Sequence, residues 1–198
     1  MSFIPNNTGK ILWVDSVNGN NINAENDKPN LPYLTVGAAL SAATNGDTVM
    51  VRPGTYLEEN LNIPTNVSLI SEGGWQVTRL GVAPSAATDN IVILNQDSYI
   101  NGFGINIPEG SFNGIYIPNG GGTNGAYNIT FYGNGSTGST GTGLYKTGDG
   151  KIIGAEIRCE LGGLKNLMKV DSGVLAIEST HVPQSSGSIE NVLLVTTS

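Results

Sequence analysis

The chain has 198 residues, a formal net charge of −7 and only 13% charged residues, against roughly 25% in an ordinary soluble domain. Gly (28), Asn (23), Thr (17) and Ser (16) supply much of the rest. These four types favour turns, caps and strands over helix interiors, which excludes a helix bundle and a coiled coil. The acidic balance argues against a nucleic-acid surface or docking to an anionic membrane. No apolar run reaches the ~18 residues of a membrane-spanning helix. A single cysteine, Cys159, excludes a disulfide framework within the chain and a multi-thiolate zinc site. A single histidine, His181, excludes chemistry that needs two. The opening MSFIPNNTGK has no basic start followed by an apolar stretch, so no signal peptide is expected.

In chain order, Ile11 to Asp15 reads as a short strand, and DSVNGNNINAENDKPN as a long surface loop. Val36, Ala39, Leu40 and Ala43 then fall at helical spacing, with Thr35 as N-cap and Asn45-Gly46 as a stop. This predicts one helix at about 35–45. From Asp47 onward, short apolar runs alternate with Gly, Asn and Pro: TVMV, NLNI, VSLI, IVIL, YINGFGINI, NGIYI, YNITF, KIIGAEI, NLMKV, VLAIE and NVLLV. Each reads as a strand too short to stand without neighbours. NGGGTN (119–124) and NGSTGSTGTG (134–143) read as loops.

The runs recur. Phe103, Ile129 and Ala155 are spaced by 26 residues, and so are Ile105, Phe131 and Ile157. Ile115-Tyr116, Leu144-Tyr145 and Leu167-Met168 follow as a second run per repeat. Val49 and Leu69 are 20 apart. A period of this length with several short strands is a solenoid signature. The absence of a Leu-x-x-Leu-x-Leu frame excludes leucine-rich repeats, leaving an all-β parallel β-helix. We expect residues 1–46 to form an N-terminal strand, loop and capping helix, and 47–198 about six coils.

The stretch PYLTVGAALSAATNGDTVMVRPGTYLEENLNIPTNVSLISEGG resembles the N-terminal part of pectin-lyase-like right-handed parallel β-helix proteins. The shared pieces are the aromatic-x-Thr-Val helix start, Gly-Asp-Thr-Val, Pro-Gly-Thr-Tyr, the Ile-Pro turn and Leu-Ile-x-Glu-Gly. The resemblance implies a fold and no single activity, because polysaccharide lyases, carbohydrate esterases and virion fibres or tailspikes share this opening. It is most similar to pectin methylesterases. Against that enzyme, only Gln96-Asp97-Ser98-Tyr99 distantly resembles an aspartate motif. The second aspartate motif and the arginine motif are absent, so Asp97 reads as a turn residue.

Chemistry-bearing candidates are few. Glu156, Arg158 and Glu160 alternate on one strand, with Glu178 about one coil on. They form either a catalytic or carbohydrate-binding face, with Glu156, Arg158 and Glu178 as the catalytic set, or a solvated salt-bridged surface. Asp15, Asn18, Asn20, Asn23 and Asp27 make an oxygen-rich loop, either a Ca²⁺ site or a hydrogen-bonded loop. Cys159 reads as a core thiol and His181 as a turn residue. No cofactor is expected beyond that Ca²⁺.

The expectation from these readings is a structural, adhesive protein of a virion, such as a fibre, spike or capsid decoration, located on the virion or outside the cell. Its partners would be other virion proteins, further copies of itself (a trimer, for instance) and host-surface polysaccharide. The alternative is a lyase or hydrolase of acidic polysaccharide.

Overall fold

The computed structural model describes residues 9–81, 90–108, 110, 112–118, 122–133, 140–160, 164–181 and 189–195. Its strands stack in three parallel ladders, each fed by one strand or half-strand per coil. The first contains β1 (Ile11–Val14), β2 (Thr48–Val51), β5 (Ser68–Ser71), β8 (Tyr99–Asn101), the first halves of β11 (Thr123–Tyr132) and β13 (Lys151–Glu160), and β15 (Val174–Ile177). The second contains β3 (Gly54–Leu57), β6 (Thr78–Gly81), β9 (Gly104–Asn106), the second halves of β11 and β13, and β16 (Thr180–His181). The third is six strands deep: β4 (Leu61–Ile63), β7 (Asn90–Leu94), β10 (Asn113–Ile117), β12 (Thr142–Lys146), β14 (Leu164–Val170) and β17 (Ile189–Val195). The chain is therefore a parallel β-solenoid.

Alternation sends one set of side chains from every strand into the interior. Stacked inward rows run Tyr56, Leu80, Ile105, Phe131, Cys159 and Leu61, Val92, Ile115, Leu144, Met168. All ten are buried. Val49 stacks on Leu69 as the 20-residue spacing predicts. Thereafter the step varies, because each coil carries loops of its own length. The 26-residue spacing holds from Ile105 to Phe131, but the next coil advances by 28. Ile129 pairs with Ile157, and Phe131 with Cys159. Ala155 lies opposite Tyr127 and is only partly buried, so the expected Phe103/Ile129/Ala155 row is corrected to one ending in Ile157.

The corners explain the composition. Entering the first ladder, successive coils place Gly46, Asn66, Asp97, Gly122, Gly150 and Gly173 at positive φ, between 55° and 104°. Gly, Asn and Asp tolerate this left-handed region best. Asn128 and Glu156 take the same conformation at the bend inside β11 and β13. Where the third ladder begins, Asn113 donates to Asn90, Asn166 to Thr142 and Asn191 to Asn166. This ladder of amides satisfies polar groups that the coil stacking buries.

The helix α1 (Val36–Ala42) turns Val36, Ala39 and Leu40 inward and packs on β1, β2 and β4, closing the N-terminal end. Thr35 Oγ1 caps the Ala38 N–H as expected, and the Glu58 carboxylate takes the Val36 and Gly37 N–H groups at 2.8 Å each. Asp47 holds the turn before β2, accepting from the Lys10 N–H, the Thr44 N–H and the Thr44 hydroxyl.

Two expected loops are shorter than read. Thr123 and Asn124 already belong to β11, and Asn124 is buried against Ser98. Thr142 and Gly143 belong to β12. Residues 119–121 and 134–139 of those loops lie outside the described residues. His181, expected in a turn, lies in β16 opposite Arg158.

Candidate functional site

The second ladder displays its outward residues as a row: Thr55, Arg79, Gly104, Thr130 and Arg158 in successive coils. A second outward row brings Tyr132 beside Glu160. The turn between β5 and β6 leans over this face. Ser71 Oγ pins it, accepting the Gly74 N–H at 2.9 Å and donating to Thr78 Oγ1 at 2.7 Å. Trp75 is thereby held 5.4 Å, ring centroid to guanidinium carbon, from Arg158. The Arg79 guanidinium carbon lies 3.5 Å from the Tyr132 ring centroid. Gly104 makes that crossing feasible, because a Cβ there would come within 2.7 Å of Arg79 Cδ and 2.9 Å of the Trp75 carbonyl oxygen.

Two cation–aromatic pairs thus sit side by side on one face. Among the described residues, Arg79 has no carboxylate within ion-pair distance. Arg158 is paired with Glu156. Beneath them Thr130 is fully buried, and its hydroxyl has no hydrogen-bond partner among the described residues. Burial pushes the Tyr132 phenol above its ordinary range. The nearby Glu160 adds to that shift and Arg79 opposes it.

The residues singled out from sequence are placed as follows. Glu156 stands at the bend of β13, exposed, with φ 57°. The inversion there puts Glu156 on the corner, whereas Arg158 and Glu160 face outward from the flat part of the strand. The expected single face of three alternating residues is therefore broken at its first member. Glu178 lies at the same corner one coil on. Its N–H donates to the Gly154 carbonyl, and the Glu156 N–H donates to the neighbouring Ser179 hydroxyl. Cys159 is buried in the core.

In the loop after β1, Asp15 Oδ1 accepts from the Val17 and Asn18 N–H groups, and Oδ2 accepts from the Asn18 side chain and from Arg52 at 3.0 Å. Burial opposes ionisation of this carboxyl. The four donors outweigh it and hold the group well below the usual carboxylate range. Asn20 Oδ1 accepts from the Ile22 and Asn23 N–H groups, and Asp27 Oδ1 from the Ile11 N–H. These oxygens organise the loop backbone. Asp97, at φ 55°, accepts the Thr123 N–H and so joins two coils, as a turn aspartate does. Among the described residues, no cluster of three His, Cys, Asp or Glu is arranged to hold a metal.

Sequence reading missed Trp75, Arg79 and Tyr132. The run TRLG carries one large apolar side chain and does not announce a strand, so nothing placed Arg79 on the same face as Arg158. The usable signal was the spacing of Tyr56, Leu80 and Ile105, one inward residue per coil.

No family model and no curated protein matches the chain. A solved structure named rhamnogalacturonan lyase superposes on it with a TM-score of 0.56 at 12% identity, over 96% of this chain and 62% of that one. This chain thus spans less than two thirds of that neighbour. The likeness is one of architecture, and with the three parallel ladders and the helix-capped end it shows the fold: a parallel β-helix.

Proposed function

We propose that this protein is a non-enzymatic adhesive solenoid that contacts acidic surface glycans through the outer face of its second ladder. The observation that carries this reading is the pair of arginines, Arg79 and Arg158, each set against an aromatic ring on one face. Guanidinium groups bind carboxylates with charge and geometry together. Aromatic faces take the C–H faces of sugar rings. Three of the described carboxylates are held by partners within the protein: Glu156 by Arg158, Asp15 by Arg52 and backbone amides, Glu58 by the helix start. A fibre, spike or capsid decoration of a virion is the setting that suits a slender module of this kind, working in several copies beside other virion proteins and meeting host polysaccharide outside the cell.

The second reading, a lyase of acidic polysaccharide, is favoured by the architectural likeness to a protein named for that activity. One experiment separates them. The full chain is titrated with oligogalacturonate and, in parallel, incubated with acidic polysaccharides with and without Ca²⁺. Binding that is lost in Arg79→Ala, with no shortening of the polymer, supports adhesion. Reproducible chain cleavage that disappears in Glu156→Gln or Glu178→Gln supports the enzyme.

A further inference from the structure

Two adjacent outward rows of the first ladder carry no charge. Trp13, Met50, Ile70, Asn101, Tyr127 and Ala155 stand in direct register from β1 to β13. Thr48, Ser68, Tyr99, Gly125, Ile153 and Ala176 form the row beside them. Thr48 and Ser68 are buried, so solvent meets mainly Trp13, Met50, Ile70, Tyr99 and Ile153, each partly exposed. A Cβ on Gly125 would come within 2.3 Å of the Tyr99 ring and 2.7 Å of the Tyr127 ring, so the two rings close over this glycine and continue the surface across it. By contrast, the second ladder turns Arg79 and Arg158 outward, and the third turns Lys169 outward. Charges of the first ladder stand at its margins. Lys151 lies where β13 enters and Glu156 at the bend where its first half ends, both exposed. Glu72, Asp97 and Glu178 flank other strands of the ladder in the same way. Arg52, 5.7 Å from the Trp13 ring centroid, is already paired with Asp15.

We propose that a second copy of this chain packs on this face, the two solenoids lying side by side with parallel axes. Charge selects that partner. Each copy carries a net charge of −7, so two copies repel through any surface that displays carboxylates. These rows display none, and for the same reason they offer nothing to hold a basic partner. Shape points the same way. A second copy presents ridges at the same ~4.8 Å spacing, so the two faces interleave coil by coil as packed sheets do. A two-fold axis parallel to the solenoid keeps the coils level and reverses the strand direction. It brings Lys151 of one copy to the margin that Glu156 occupies in the other. An apolar centre inside a charged rim is the anatomy of a protein–protein contact. The inference goes beyond the glycan reading and does not rest on it.

The test is sedimentation equilibrium of the full chain across about a hundredfold range of concentration. The unaltered protein is expected to approach the mass of two copies at the upper end. Ile70→Glu and Met50→Glu each place a carboxylate at the centre of the face and should weaken the dimer at least about tenfold. Lys151→Glu sets like charges against each other at the rim and should weaken it about threefold. Ile93→Glu adds the same carboxylate to the outward side of the third ladder and should leave the mass unchanged. Thermal melts report whether each variant folds; Ile70 and Met50 lie on different coils, so either carries the comparison if the other fails. The proposal is overturned if the unaltered chain stays monomeric throughout, if it forms an assembly larger than two copies, if the glutamates at 50 and 70 leave the dimer intact, or if Ile93→Glu dissociates it equally. None of these outcomes bears on the oligogalacturonate titration, so the two readings fail separately.

Discussion

Arg158 is bent back onto the carboxylate of Glu156, two positions earlier in the same strand. The contact arises because Glu156 occupies the left-handed bend while Arg158 stands on the flat part of β13. Glu156 is half exposed and Arg158 less so. Such pairs contribute about 0–1 kcal/mol to stability. Their importance here is to set how much charge Arg158 offers a ligand. Glu156→Gln should therefore lower the melting temperature by no more than about 2–4 °C, while tightening oligogalacturonate roughly threefold by leaving the guanidinium unbalanced. Calorimetry and a thermal melt measure both. Unchanged affinity would remove Arg158 from the binding face.

The corner residues make a second, stability-based prediction. Gly173 has φ 86°, and a Cβ there would fall 2.5 Å from the Gly150 oxygen and 2.7 Å from the Gly148 oxygen. Gly173→Ala should cost more than the ~1–2 kcal/mol of the left-handed conformation alone, because backbone atoms must move as well. Asn66 sits at the equivalent corner with φ 56°. Asn66→Gly should change stability by less than about 1 kcal/mol, since it relaxes the backbone while losing one exposed amide contact with Asn45. Urea melts of the two variants should rank in that order, and a reversed ranking would contradict the corner assignment.

Acid should loosen the N-terminal coils. Asp47 and Asp15 are both buried. Burial by itself raises a carboxyl pKa, yet in both residues the hydrogen bonds from neighbouring amides and side chains prevail and lower it. In the unfolded chain an aspartate titrates near ~3.9. Above that value the stabilisation is complete. As pH falls below it, the unfolded state takes up protons that the folded state resists, and stability declines. The urea midpoint should therefore drop steadily as pH falls from about 4 to about 2. Asp47→Asn should be less stable at pH 7 and show a shallower decline. A midpoint insensitive to pH across that window would count against these two carboxylates.

Among the described residues, each buried charge has partners: Asp15, Asp47 and Lys146 are all hydrogen-bonded. Ile129 is fully buried and pairs with Ile157 in the next coil. Ile129→Asp should leave no soluble folded protein, because an unpaired buried carboxylate costs several kcal/mol. Lys146 is the informative contrast. It is equally buried on an inward row, but its ammonium donates to the carbonyls of Gly148 and Asp149. Expression and circular dichroism of Ile129→Asp check the claim, and a stable, folded variant would refute the inward placement.

Much of the fold was legible in the amino-acid sequence because the signals are local. The Val36, Ala39, Leu40 stripe with Thr35 before it announced the capping helix. The apolar runs of the first and third ladders announced strands, and the Gly and Asn punctuation marked corners whose positive φ few other residues accept. These depend on side chains and dihedrals a few positions apart. What the sequence could not settle was how far the chain travels before it returns. From Val49 the first ladder advances through Leu69, Ile100, Ala126, Gly154 and Ile177 in steps of 20, 31, 26, 28 and 23 residues. Loop length is nearly free energetically, since doubling a loop costs only about 0.6 kcal/mol. Coil length is therefore decided by which buried rows fit together, a tertiary matter. That is why the 26-residue spacing points to Ala155, two residues before the true row member Ile157, and why simple alternation puts Glu156 and Arg158 on one face although a bend separates them. It is also why Trp75 and Arg158, or Arg79 and Tyr132, meet without any trace in the spacing of the residues between them. Only the stacking of whole coils brings those rings and guanidinium groups onto one surface.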